Sequence, residues 1–124
     1  MRVLVVDDSA VIRDLITVNL ELEGLEVVGC GDGEEALRLV PEVRPDVITM
    51  DVVMPRLNGL DAAERLRSDP GTAHIPIVVV TARAGQADLD RAQEIGVEGY
   101  LTKPFEPAEL VALVGRLARE GRPA

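Results

Sequence analysis

The sequence predicts a doubly wound α/β fold, with a five-stranded parallel sheet as the middle of three layers α/β/α, and three observations support this. Five short runs rich in β-branched residues recur along the chain, amphipathic helical patterns separate and follow them, and glycine, proline and short polar residues punctuate the junctions. Strands that alternate with helices need crossover connections. Such connections make neighbouring strands parallel and put helices on both faces of the sheet.

The first strand-like run covers residues 3–6, followed by an apolar stripe of Val11, Leu15, Val18 and Leu22 that is expected to turn inward from a first helix. Gly24 falls where a left-handed residue closes that helix. After the second run, 25–28, Asp32 and Glu35 resemble a capping box for a second helix. After the third, 47–50, Asn58 can cap a third helix. The fourth run, 77–80, precedes the weakest helix, about 86–95, whose stripe is little more than Leu89, Ala92 and Ile95, and which is expected to be the most mobile. Gly96 suits its end. The fifth run, 97–101, leads to a last helix opened by Pro107, with Leu110, Leu113, Val114 and Leu117 facing inward. All five runs read as buried strands. Residues 1–120 therefore form one domain, and 121–124 a tail or the start of a linker.

With 124 residues, 47% of them hydrophobic, the chain has the usual size of a single domain with its own core. A net charge of −9 and a total of one Tyr and one Phe argue against direct nucleic-acid binding, through either phosphate contacts or base stacking. The single cysteine, Cys30, cannot form an internal disulfide, which fits a cytoplasmic protein. No apolar run approaches the roughly 20 residues of a membrane span, and Arg2 leads directly into a strand rather than a signal peptide, so no membrane association is expected.

In open α/β sheets ligands bind beyond the carboxyl ends of the strands. Here those ends are polar: Asp7 and Asp8 follow the first strand, Asp51 the third, Thr81 ends the fourth, and Lys103 and Pro104 follow the fifth. These groups should converge on one edge.

The segments "VLVVDDSA", "DVITMDVVMPRLNG", "IPIVVVTA" and "GYLTKPF" resemble those of response-regulator receiver domains, the phosphoacceptors of two-component systems, in order from about residue 3 to residue 117. The resemblance implies a flavodoxin-like strand order 2-1-3-4-5, the order found in chemotaxis members of that family. Asp7, Asp8 and Asp51 would then share the crevice at the switch point. Crowded carboxylates repel one another and call for a counter-charge, and an all-oxygen donor set suits Mg²⁺, or Mn²⁺ in its place. By the same resemblance Asp8 and Asp51 ligate the metal directly, Asp7 through water, and Val53 through its backbone carbonyl. Asp51 is the phosphorylated nucleophile, assisted by Lys103 and Thr81, and the Lys103–Pro104 bond is cis. The implied phosphodonor is a histidine kinase or histidine phosphotransfer protein. The implied output is a switch through Thr81 and Tyr100 at the fourth helix, fifth strand and fifth helix, read by a downstream effector protein or a missing output domain. The domain would be a monomer or a phosphorylation-dependent dimer, and not an enzyme in its own right.

Simpler readings exist for each residue alone: Asp8 as a helix cap, Lys103–Pro104 as a surface charge and turn, Thr81 as a strand former, Tyr100 as a half-buried ring with a wet hydroxyl. Their conjunction at the strand ends favours the joint reading. A haloacid-dehalogenase-like hydrolase also uses a strand-end Asp with Mg²⁺, but it needs an acid where Val53 stands. A flavodoxin needs a Thr/Ser/Gly-rich phosphate loop where Asp7 and Asp8 stand. A receiver-like scaffold that takes no phosphate would not need the intact acidic pocket. Val53 and Arg83 depart from the polar or charged choices of well-known receivers, and apolar Val53 cannot orient a hydrolytic water, so slow loss of the phosphoryl is expected. Small Ala82 should leave room for the donor. His74 should be solvated, Cys30 packed as a small apolar residue, Gly29, Gly31 and Gly33 turn residues, and Met54 and Pro55 shapers of the loop after Asp51.

Overall fold

The computed structural model describes residues 1–122, so the last two residues of the expected tail lie outside the described residues. Strands and helices alternate throughout: β1 (Arg2–Val6), α1 (Ala10–Leu22), β2 (Glu26–Cys30), α2 (Gly33–Val43), β3 (Val47–Met50), α3 (Gly59–Ser68), β4 (Ile77–Thr81), α4 (Gln86–Ile95), β5 (Gly99–Thr102) and α5 (Pro107–Glu120). The sheet has the order β2-β1-β3-β4-β5, with every pairing parallel.

Side chains that alternate along each strand divide the core in two. Val3 and Val5 pack with Ile16 and Leu20 of α1 and Leu110, Val114 and Leu117 of α5. Leu4 and Val6 pack on the other face with Ala36 and Val40 of α2 and Ala62, Ala63 and Leu66 of α3. The inner strands β3 and β4, aliphatic apart from Thr49, Met50 and Thr81, are buried along their whole length because helices cover both faces. The expectation that all five strands are buried needs correction for β2 and β5, which lie at the sheet edges. Glu26, Gly29 and Thr102 are exposed there. β5 also starts two residues later than expected, because the Val97 amide is taken by the Ala92 carbonyl to close α4.

A second correction concerns α1. The stripe expected to face inward faces solvent, with Val11 77%, Leu15 42%, Val18 55% and Leu22 79% exposed, while Ile16 and Leu20 are at 1% and 0%. The helix carries two apolar stripes one residue, or about 100°, apart, and periodicity alone does not choose between them. The Ser9 side chain caps α1 by accepting from the Ile12 amide, and the sheet takes the stripe that begins at Ile12.

The expected helix signals are present. Asp32 accepts from the Glu35 amide at 2.7 Å and Asn58 from the Asp61 amide at 2.9 Å. Gly24 and Gly96 both adopt φ +85°, and Pro107 lies in the first turn of α5. In α5, Leu110, Val114 and Leu117 are buried, whereas α4 buries only Ala92. Among the described residues no helix is long and apolar enough to cross a membrane.

Candidate functional site

The register of β1 against β3 builds the site. Val6 is level with Met50, so the next residues, Asp7 and Asp51, emerge side by side. The ladder runs on beyond the strands, with the Asp51 amide donating to the Val6 carbonyl at 3.0 Å and the Asp7 amide to the Cys30 carbonyl at 3.1 Å. One oxygen from each of Asp7, Asp8 and Asp51 falls within a cluster 4.8 Å across. Asp7 and Asp51 are buried, while Asp8 faces water. The three carboxylates singled out in the sequence are thus together.

Lys103 completes the cluster. Its Nζ donates to Asp7 Oδ2 at 2.7 Å and to Asp51 Oδ2 at 3.1 Å. Its backbone amide is held by the Thr81 carbonyl at 2.8 Å, and the peptide bond to Pro104 is cis. Burial by itself would lower the ammonium's pKa, but the bonds to Asp7 and Asp51 outweigh it and hold Lys103 above the ordinary lysine range. One ammonium against three carboxylates leaves net negative charge. The remaining contacts are backbone amides: Ser9 to Asp7 Oδ1 at 2.9 Å and Val53 to Asp51 Oδ1 at 3.3 Å. An all-oxygen set, partly open to water through Asp8, suits a hard divalent cation.

Thr81 is fully buried at the end of β4, and its Oγ1 accepts from the Arg83 amide at 3.1 Å. Tyr100 is half-buried on β5 and donates its hydroxyl to the Arg83 carbonyl at 2.6 Å. Burial, and then the charge of Asp88, push its phenol above the usual range, Arg83 opposes this, and Asp51 adds a further upward push. The contact with the Arg83 carbonyl lies at an exposed position, so the simpler reading of Tyr100 as a half-buried ring with its hydroxyl open to water stands beside this hydrogen bond. The Arg83 guanidinium pairs with Asp88 of α4. The Val53 side chain is 51% exposed, Ala82 is exposed, and Met54 and Leu57 are buried under the loop after Asp51.

His74 and Cys30 behave as expected. His74 is exposed, and Cys30 is buried, which pushes its thiol up to about 12. His74 lines a groove of about 490 Å³ with Val40, Arg44 and Thr72 that lies at the opposite end of the sheet and shares no residue with the acidic cluster. Of the three glycines expected in a turn only Gly31 lies in the connection: Gly29 is inside β2 and Gly33 is the first residue of α2, and Gly29 makes room for Arg13, whose Cδ would lie 3.3 Å from a Cβ placed there.

Two supports of the site were not visible in the sequence. Arg13 donates to the Asp7 carbonyl at 2.7 Å and so fixes the backbone beneath the cluster. Gly59, the first residue of α3, packs directly on the backbone of Asp51, where a Cβ would overlap the carbonyl oxygen. Its only sequence signal was its place after the cap residue Asn58. Gly59→Ala is expected to destabilise the domain by about 1–3 kcal/mol through overpacking and to displace Asp51. A urea midpoint equal to that of the parent would contradict this.

Comparison with known proteins agrees with the geometry. Residues 3–115 match the family model described as response regulator receiver domain. The chain is 43% identical over 119 residues to the DNA-binding response regulator MtrA of Mycobacterium tuberculosis, covering 95% of this chain and 51% of MtrA. It thus spans about half the length of the curated relatives it matches. A putative response regulator from Chloroflexus aurantiacus superposes with TM-score 0.89 at 34% identity, covering 96% of this chain and 98% of that one. The receiver domain of the sensor histidine kinase PA1611 from Pseudomonas aeruginosa superposes with TM-score 0.86 at 33% identity, covering 96% and 98%, and holds a magnesium ion in its active-site cleft.

Proposed function

The chain belongs to the response regulator receiver family, and from that premise we propose that Asp51 accepts a phosphoryl group from the phosphohistidine of a histidine kinase or histidine phosphotransfer protein. A carboxylate oxygen of Asp51 attacks phosphorus, the P–N bond of the phosphohistidine breaks, and the imidazole nitrogen leaves with the electron pair. The product is an aspartyl phosphate. The observation that carries this reading is the Lys103 ammonium bonded to Asp51 inside the carboxylate cluster.

Each residue has a part to play. Asp8 and Asp51, with Asp7 through water and the Val53 carbonyl, would hold Mg²⁺, or Mn²⁺ in its place. The bound ion supplies charge neutralisation at the phosphoryl oxygens. Lys103 is placed to pair with a phosphoryl oxygen as charge develops, and Thr81 offers its hydroxyl to the transferred group. Phosphorylation replaces the single charge of the Asp51 carboxylate with the roughly two charges and three acceptor oxygens of a phosphoryl group. Thr81, Tyr100 and Arg83 are already linked by hydrogen bonds, so a shift at Thr81 reaches β5 and α4. The face of α4, β5 and α5 is the output surface, read by an effector protein or by an output domain such as the remainder of a longer regulator, and the domain is a monomer that can dimerise when phosphorylated. Residues 1–120 form this receiver in the cytoplasm, with no nucleic-acid contact of its own.

Acetyl phosphate with Mg²⁺ should add one phosphoryl mass to the parent and none to Asp51→Asn. A parent that gains no mass, or an Asn variant that gains it equally, refutes the assignment. Since Val53 presents an apolar side chain beside Asp51, self-hydrolysis should be slow. Loss of label within seconds after removal of the donor would overturn that expectation.

A further inference from the structure

Arg83 is attached through all three of its polar parts. Its amide donates to Thr81 Oγ1 at 3.1 Å, its carbonyl accepts from the Tyr100 hydroxyl at 2.6 Å, and its guanidinium forms a two-pronged pair with Asp88, Nε to Oδ2 at 2.9 Å and Nη2 to Oδ1 at 3.0 Å. Asp88 stands in the first turn of α4, a helix whose N-cap, Gly85, has no side chain to cap it. Farther along, α4 is held by the buried Ala92 and by Arg91, which pairs with Asp61 and Glu64 of α3. The Arg83–Asp88 pair is therefore the side-chain tether of the first turn to the loop beside the acidic cluster.

That tether stands beside a second anion. Met50 is level with Val79, so Asp51 leaves β3 next to the end of β4, two residues beyond which Arg83 is held through its amide on Thr81. A phosphoryl group on Asp51 raises that anion from one charge to about two, and a guanidinium fork matches phosphoryl oxygens as well as it matches a carboxylate.

Building on the phosphoacceptor reading above, we propose that Arg83 is a phosphoryl-responsive latch: it grips Asp88 when Asp51 is bare and transfers to the phosphoryl oxygens when Asp51 is modified, releasing the first turn of α4. Asp88 is then a positioning residue, acting on the phosphoryl site only through Arg83. The release adds a route from the site to α4 through the Arg83 guanidinium, beside the one through the Thr81 hydroxyl.

Beryllofluoride with Mg²⁺ is the probe, because it mimics the phosphoryl on Asp51 without turnover. Calorimetric affinities of the full chain should differ among four forms. Asp88→Asn removes the competitor and should tighten beryllofluoride binding roughly three- to tenfold, and Arg83→Gln should weaken it by a similar factor, the range of one partly exposed charge-assisted contact. The double variant should match Arg83→Gln alone, since Asp88 acts only through Arg83. Amide exchange in the first turn of α4 should rise when the parent binds beryllofluoride and should already be high in Asp88→Asn. Unchanged or weaker binding by Asp88→Asn, or effects that simply add in the double variant, would overturn the latch. A parent that takes up no beryllofluoride would instead sink the phosphoacceptor reading itself.

Discussion

Replacing Lys103 by methionine is expected to slow phosphorylation of Asp51 by acetyl phosphate roughly 10²–10³-fold, the loss that follows removal of one preorganised donor from a site of developing charge. The side chain lies in a mostly buried position, 17% exposed, and it bonds Asp7 and Asp51 together, so no mobile surface lysine can replace it. Methionine keeps much of the apolar stem and removes only the charge. The same change should tighten Mg²⁺ binding, because three carboxylates that lose their fixed cation gain more from a mobile one. Mass spectrometry of initial labelling and calorimetry with Mg²⁺ measure the two effects separately. A rate within about threefold of the parent would remove Lys103 from the transfer step. Faster labelling with weaker Mg²⁺ binding would reverse the electrostatic argument altogether.

The site was legible in the sequence because its parts sit at strand ends, and parallel register carries strand ends to the same edge. Asp7 and Asp51 follow directly from Val6 and Met50, which are level in the sheet. Lys103 follows β5, with its amide anchored to the end of β4. What the sequence could not reveal are partnerships between segments whose relative placement depends on packing. Nothing near Gly59 announces that α3 begins against the Asp51 carbonyl. Arg13 looks like any polar residue of a surface helix until α1 is seated and its guanidinium meets the Asp7 carbonyl. Arg83 stood out as unusual, but its partner Asp88 lies on another element and matched no motif.

The first helix shows the same limit in the fold, and it makes the second large prediction. Val11, Leu15, Val18 and Leu22 follow a spacing of four, three and four residues, as regular as any inward stripe, yet all four are exposed. Ile12, Ile16 and Leu20 form a shorter stripe, and this is the one the sheet covers. Helical periodicity reports how many apolar faces a helix has; the sheet decides which of them is covered. Ile16→Ala should therefore destabilise the domain by about 2–5 kcal/mol, since Ile16 is enclosed by the β1 and α5 side of the core and its removal leaves a cavity. Val18→Ala, two residues away on the exposed stripe, should stay within about 0.5 kcal/mol of the parent. Denaturant midpoints of the two variants measured side by side decide the matter. Equal losses would mean that the helix is seated on the other stripe, and with it the position of Arg13 under Asp7 would have to be abandoned.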